Sequence, residues 1–210
     1  QQHIFLSPLG GDTSSSDKKK KEIETNTIET SRLILKELTP ETYDILFTTC
    51  SDEQIMAFFG FTGIAELEVE RGKWQGGMTT YRTSFKGFIL TEKTTGKAIG
   101  RTGFHNWYAM HNRAELGYLM SDEGSKGKGL MKEAVKAVIN YGFEQMGLQR
   151  IEAFVGPNNQ PSQAIVRSLG FTHEGTLRQH FCYDGIAEDS DCFGMLKPEY
   201  EANKALFDSQ

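Results

Sequence analysis

Residues 123–134 read EGSKGKGLMKEA. Gly124, Gly127 and Gly129 alternate with Lys126 and Lys128, and an apolar-periodic run follows at once. Glycine is the costliest residue to order, so a glycine-rich entry to a helix marks a backbone that something must approach. The first N–H groups of a helix lack internal partners and carry the positive end of its dipole. Glycines let an anion reach those amides. The loop therefore reads as a phosphate or pyrophosphate cradle, with Lys126 and Lys128 adding charge. GSKGKGL (124–130) does not make the GxxxxGK[ST] nucleotide loop, and GKGLMK (127–132) does not complete GxGxxG.

Outward from the loop the punctuation is regular. Downstream, Leu130, Met131, Ala134, Val135, Val138 and Tyr141 keep the spacing of one apolar helix face. LQRIEAFVG (148–156) reads as a strand and SQAIVRSLG (162–170) as a helix that stops at Gly170. FTHEGTLRQHF and the 186–196 stretch form a strand pair around YDG, and a last helix starts near Pro198. Upstream, RAELGYLM (113–120) is a strand, and KGFILTEK and KAIGRTGFHNW form a hairpin across TTG. RLILKEL (32–38) opens the pattern. A helix capped by Thr39 with Pro40 at its first position follows, then one capped by Ser51, then a helical stretch over 64–84. Too few βαβ units are present for a doubly wound sheet, so the class is α+β, a mixed α/β plan.

The chain has 210 residues, a formal net charge of −5, 38% apolar residues and 11% aromatics. That is one domain with a real core, and residues 31–210 are assigned to it. Residues 1–30, with GGDTSSSDKKKKE, read as a flexible tail. The acidic balance argues against a nucleic-acid partner, and no apolar run is long enough to span a bilayer, so no membrane partner is expected. Cys50, Cys182 and Cys192 form no disulfide framework and no CxxC, which fits a reducing, cytoplasmic setting. The five histidines lack ligand spacing, and no metal site is expected. A monomer or a homodimer is equally compatible with these features.

The set AELGYLM (114–120), GKGLMKEA (127–134), YGFEQMGLQRIEAFVGPNNQPS (141–162) and RSLGFTHEGTLRQ (167–179) resembles the GNAT superfamily of N-acetyltransferases. Within it, the set is most similar to the RimJ/RimL branch, which acetylates ribosomal-protein N-termini. The resemblance covers roughly residues 30–200. It implies a mixed, mostly antiparallel sheet of about seven strands flanked by helices, splayed between the fourth and fifth (113–120 and 148–156). It implies acetyl-CoA as cosubstrate and an amine acceptor, either a protein N-terminus or a small molecule. A non-catalytic acyl-CoA-binding module shares the same cradle. By resemblance, Tyr118, Leu119 and Met120 would bind the pantetheine arm along the strand edge, and Asn159 would bind the same arm. Lys126, Gly127, Lys128, Gly129, Leu130 and Met131 would cradle the pyrophosphate. The family loop opens with Arg or Gln where Gly124 stands here.

Transfer to an amine needs a neutral nitrogen, an acceptor for its proton, a donor for the oxyanion and a proton for the departing thiolate. Glu115 is the base candidate, because a carboxylate in a half-buried strand needs a reason. Its structural alternative is an ion pair with Arg113 or Arg101. Ser162 is the acid candidate and also a favoured helix cap, and Tyr183 is the alternative acid. A backbone amide in 118–120 would hold the oxyanion. His105, Trp107 and Tyr108, with Phe58, Phe59 and Phe61, are candidates for an acceptor cleft or for core. Asp184, Asp189 and Asp191 read as a solvated loop that would also suit a cationic acceptor.

Overall fold

The computed structural model describes residues 25–208. Eight strands form one sheet: β1 (Thr27–Glu29), β2 (Leu33–Leu38), β3 (Ser84–Glu92), β4 (Ala98–Tyr108), β5 (Arg113–Met120), β6 (Arg150–Val155), β7 (Thr172–Tyr183) and β8 (Ile186–Leu196). Their order is β1-β2-β3-β4-β5-β6-β8-β7, and every neighbouring pair is antiparallel except β5–β6. β1 lies within the segment read as tail and pairs with β2. Three residues are too short for a pattern to show. Residues 1–24, with the basic run, lie outside the described residues.

Three helices, α1 (Pro40–Thr49), α2 (Asp52–Phe59) and α3 (Ile64–Gln75), connect β2 to β3. Thr39 and Ser51 cap α1 and α2 with their side chains. The expected helix over 64–84 ends at Gln75, because Gly76 closes it and Gly77 takes a φ of 79°. Beyond the loop run α4 (Leu130–Glu144), α5 (Gln160–Ser168), α6 (Lys197–Ala202) and α7 (Ala205–Asp208).

Strand alternation divides the core into two. Leu33, Leu35, Phe88, Leu90, Phe104, Ala114 and Leu116 pack with the buried face of α4. Gly142 lets α4 close on the sheet, since a Cβ there would lie 2.6 Å from Phe104 Cζ. On the opposite face Leu38 and Ile89 pack with Tyr43, Leu46, Phe47, Ile55, Phe58, Phe59 and Leu67 of α1–α3. Each fully buried side chain of this size contributes about 1.5–3 kcal/mol, so both helical layers are fixed to the sheet. Since Ala114 and Leu116 face α4, Glu115 and Gly117 face α1–α3.

Candidate active site

The parallel pairing of β5 with β6 covers only Arg113–Glu115 against Arg150–Glu152. Beyond it β5 runs on to Met120 and β6 to Val155, and the sheet opens. This is the splay expected between 113–120 and 148–156. The β6-facing edge of Leu116–Met120 has no strand partner, so its backbone is free to pair with an extended ligand. The Tyr118 hydroxyl spans the opening and donates to the Ser162 carbonyl of α5 at 3.1 Å.

At one side of the splay lies the glycine loop. A short 3₁₀ turn over Glu123–Ser125 leads to Gly127 and Gly129, whose φ angles of 73° and 77° lie in the left-handed region. A side chain would be strained there. Gly129 is the N-cap of α4 and supplies no capping side chain, so the amides that follow are left for another acceptor. Leu130 and Met131 are 2% and 8% exposed and belong to the core, so they offer backbone only. Lys128 is exposed, while Lys126 is paired with Glu123. A diphosphate fits these features: amides left unfilled and, in Lys128, a cation without a partner among the described residues, with no Cβ in the way.

The loop is held from a distance. Arg32 Nη1 donates to the Lys128 carbonyl at 2.9 Å, and Arg32 Nε meets Glu133 Oε2 at 2.7 Å. The Arg32 amide and the Thr30 hydroxyl both donate to Glu133 Oε1, at 2.8 and 2.7 Å. This clamp between β2 and the first turn of α4 was not read from the sequence. Its partners stand about a hundred residues apart and carry no local signal.

At the other side is a cleft of about 750 Å³ on the α1–α3 face. Its floor follows from register. Gly87 of β3 pairs with Gly103 of β4, and Gly103 with Gly117 of β5. Three cross-strand glycines make a trench across the sheet. His105 stands beside it, with its Cε1 only 2.5 Å from where a Cβ on Gly117 would be.

Glu115 sits opposite His105 in the β4–β5 register. His105 Nε2 lies 2.8 Å from Glu115 Oε1, and Asn106 Nδ2 donates to Glu115 Oε2 at 2.9 Å. A bulge in β4 between His105 and Tyr108, with Asn106 at a φ of 47°, turns the asparagine onto the carboxylate. Neither expected arginine pairs with Glu115: Arg113 binds Glu152, and Arg101 binds Glu70. Burial pushes the Glu115 carboxyl up. The His105 hydrogen bond and charge, the Asn106 hydrogen bond and the charge of His180 outweigh it, and the pKa falls below the ordinary 4.5. His105 and Asn106 line the cleft and Glu115 lies behind them. The aromatic signal FHNW pointed at His105, but the dyad depends on register.

Asn159, not Ser162, caps α5: its Oδ1 accepts the Ser162 amide at 3.2 Å. Ser162 is the third helical residue, beside the splay, with its backbone carbonyl on Tyr118. Tyr183 ends β7 on an exposed hairpin, stacked on Phe181. Trp107 packs on the α4 core and Tyr108 lies under the Arg113 guanidinium. Phe58 and Phe59 are core, and Phe61 stacks on Phe59. Asp189 and Asp191 are engaged in the β7–β8 hairpin, by the Gln179 amide and the Thr176 hydroxyl, and Asp184 forms its turn. None of the three cysteines lines the cleft. No cluster of metal-ligating residues occurs among the described residues, and no helix there is long and apolar enough to cross a membrane.

The comparisons agree with this geometry. A model of the acetyltransferase (GNAT) domain matches residues 32–172. The N-acetyltransferase p20 of Bacillus licheniformis, itself uncharacterized, is 34% identical over 178 residues, 83% of this chain and 98% of its own. The spermidine N(1)-acetyltransferase of Escherichia coli is 37% identical over 93 residues, 44% of this chain and 50% of its own. A Vibrio cholerae structure described provisionally as a ribosomal-protein-serine acetyltransferase superposes with a TM-score of 0.57 at 25% identity, covering 81% of this chain and 97% of its own. A splayed sheet, an open strand edge and a glycine cradle at a helix start are thus joined by sequence likeness along most of the chain, which belongs to the GNAT family of acetyl-CoA-dependent N-acetyltransferases.

Proposed function

We propose that the protein acetylates the α-amino group of a polypeptide N-terminus, in the manner of the RimJ/RimL branch. The observation that carries this reading is the cross-strand row Gly87–Gly103–Gly117, which adds no side chains of its own to the cleft floor, leaves room for an extended backbone and ends under the His105 ring. The likeness to the Vibrio cholerae chain supports it.

In the proposed site, Gly127–Met131 hold the pyrophosphate through backbone amides, Tyr118–Met120 hold the pantetheine arm along the β5 edge, and Asn159, at the N-cap of α5, binds that arm as well. Bound acetyl-CoA supplies the acyl carbon to which the acceptor nitrogen bonds as the carbon–sulfur bond breaks. Glu115 is ionised at neutral pH and is a weak base on its own. It is better suited to orient the His105 imidazole through Nε2–H and to stabilise the imidazolium. His105 Nδ1 then takes the amine proton at the trench. A backbone amide at 118–120 holds the oxyanion, and the Ser162 hydroxyl protonates the sulfur. With no cysteine in the cleft, transfer is direct, within a ternary complex.

A small-amine acceptor is the second reading, favoured by the partial likeness to the spermidine enzyme. Release of CoA thiol, measured against N-terminal peptides, spermidine and an aminoglycoside, decides between them. Turnover of peptides is expected. Turnover of spermidine alone would overturn the N-terminal reading. Failure to bind CoA by calorimetry would overturn the cradle.

A further inference from the structure

The wall of the cleft away from His105 carries charges that acetyl transfer does not use. Glu70 of α3 is 3% exposed yet lines the cleft. The Tyr43 hydroxyl donates to Oε1, Lys73 Nζ lies 2.8 Å from Oε2, and Arg101 Nη1 lies 3.4 and 3.3 Å from the two oxygens. Burial pushes the Glu70 carboxyl up, but Lys73, Tyr43 and Arg101 together bring it below its ordinary value. A buried carboxylate persists when its oxygens are satisfied in this way, and Glu70 is thereby spent.

Its partners are not. The side chains of Lys73 and Arg101 are 44% and 39% exposed. Arg101 reaches Glu70 through Nη1 alone, and Nε and Nη2 have no partner among the described residues. One buried negative charge thus supports two cations that face the cleft. A guanidinium edge with two free N–H donors matches a carboxylate. The same wall repels a polyamine, whose second ammonium would meet Lys73 and Arg101.

We infer that Arg101 and Lys73 form a carboxylate subsite, and that the acceptor is a polypeptide N-terminus with Asp or Glu at its second or third residue. This rests on the N-terminal reading of the cleft. Spacing sets the length. The Cα atoms of Arg101 and His105, on either side of Gly103 in β4, stand about 13 Å apart at roughly 3.3 Å per residue. A free α-amino acid, with amine and carboxylate within about 3 Å, is too short to use both ends. Two extended residues cover about 7 Å, and an acidic side chain supplies the rest.

The test pairs two peptides, Ser-Glu-Glu-Ala-Ala-amide and Ser-Gln-Gln-Ala-Ala-amide, with spermidine as a third ligand. Binding to the CoA-loaded protein is measured by calorimetry, and transfer by thiol release. At least tenfold preference for the acidic peptide is expected, shrinking as salt rises. Arg101→Gln and Lys73→Gln should each bring the acid-over-amide ratio toward one, and Lys73→Gln serves if Arg101→Gln fails to fold. Equal binding of the two peptides, or a preference that survives both substitutions, would overturn the subsite. Preferred turnover of spermidine would overturn the subsite and the N-terminal reading together. A calorimetric preference without thiol release from either peptide would support the subsite and count against N-terminal transfer.

Discussion

The two ends of the splay are built differently. The proposed cradle at 123–131 is one contiguous stretch that presents backbone amides, and a single clamp from β2 to Lys128 and Glu133 holds it from outside. The proposed acceptor cleft is assembled from α1, α3, β2, β3, β4 and β5, and its polar groups are side chains: His105 on Glu115, Arg101 and Lys73 on Glu70. A local motif made of main chain tolerates change around it. A site made by register fails when one residue in the register changes. Cofactor binding and acceptor chemistry should therefore be separable by mutation.

The largest expected separation comes from Glu115→Gln. The change keeps the volume and removes the charge that holds His105. Loss of general acid–base assistance costs about 10²–10⁴ in kcat, while calorimetric CoA affinity should hold within about twofold, since β5 backbone and loop are untouched. A variant that loses CoA binding to the same extent would break the division. Next is Gly117→Ala, whose new Cβ would fall 2.5 Å from His105 Cε1 and 2.8 Å from Nδ1. Overpacking of this kind costs about 1–3 kcal/mol. The imidazole is the part that can move, so a kcat drop of roughly ten- to a hundredfold is expected, as a mispositioned group gives. A crystal structure of the variant with His105 still on Glu115 would contradict this.

What the sequence allowed to be read follows the same division. Thr39, Ser51, the glycine loop, the β3–β4 hairpin and the apolar face of α4 are local patterns, and each was readable. Glu115 was legible only as a carboxylate in an apolar strand, and its partners His105 and Asn106 were not. The helix over 64–84 ran too far because tertiary placement turns the chain at Gly76–Gly77. Ser162 and Asn159 are both good caps three residues apart. Pro161, whose fixed φ suits a first turn, sets the helix start before the serine. The glycine row, the Arg32–Glu133 clamp and the Glu70 cluster join positions whose pairing only the folded register reveals.

The clamp gives a pH-resolved test of the cradle. Burial pushes the Glu133 carboxyl up, but the donors from Thr30 and Arg32 bring it below the ordinary 4.5. A carboxyl lowered on folding contributes stability that is fully present above 4.5 and lost as pH falls through its folded value. Glu133→Gln should lower the thermal midpoint at pH 7 and weaken CoA binding about tenfold, the lower end of what the loss of an orienting partner costs at metal sites. The two midpoints should converge as pH falls below 4.5. Parallel curves down to pH 3 would show that the clamp does not depend on the carboxylate.

The smallest effect separates the two residues that contend for the start of α5. Asn159→Ala removes the oxygen that accepts the Ser162 amide, and a lost cap costs about 1 kcal/mol. A 200-residue domain then melts about 2–4 °C lower. Ser162→Ala leaves that cap in place and adds a better helix former, so its midpoint should not fall. If the Ser162 hydroxyl protonates the departing sulfur, kcat drops in Ser162→Ala with no change in melting, whereas Asn159→Ala shows both a lower midpoint and weaker CoA binding. Unchanged kcat in Ser162→Ala would move the proton donor elsewhere. Tyr118 would then be next in line, because its hydroxyl already spans the splay to α5, and Tyr118→Phe would be expected to show the loss that the serine does not.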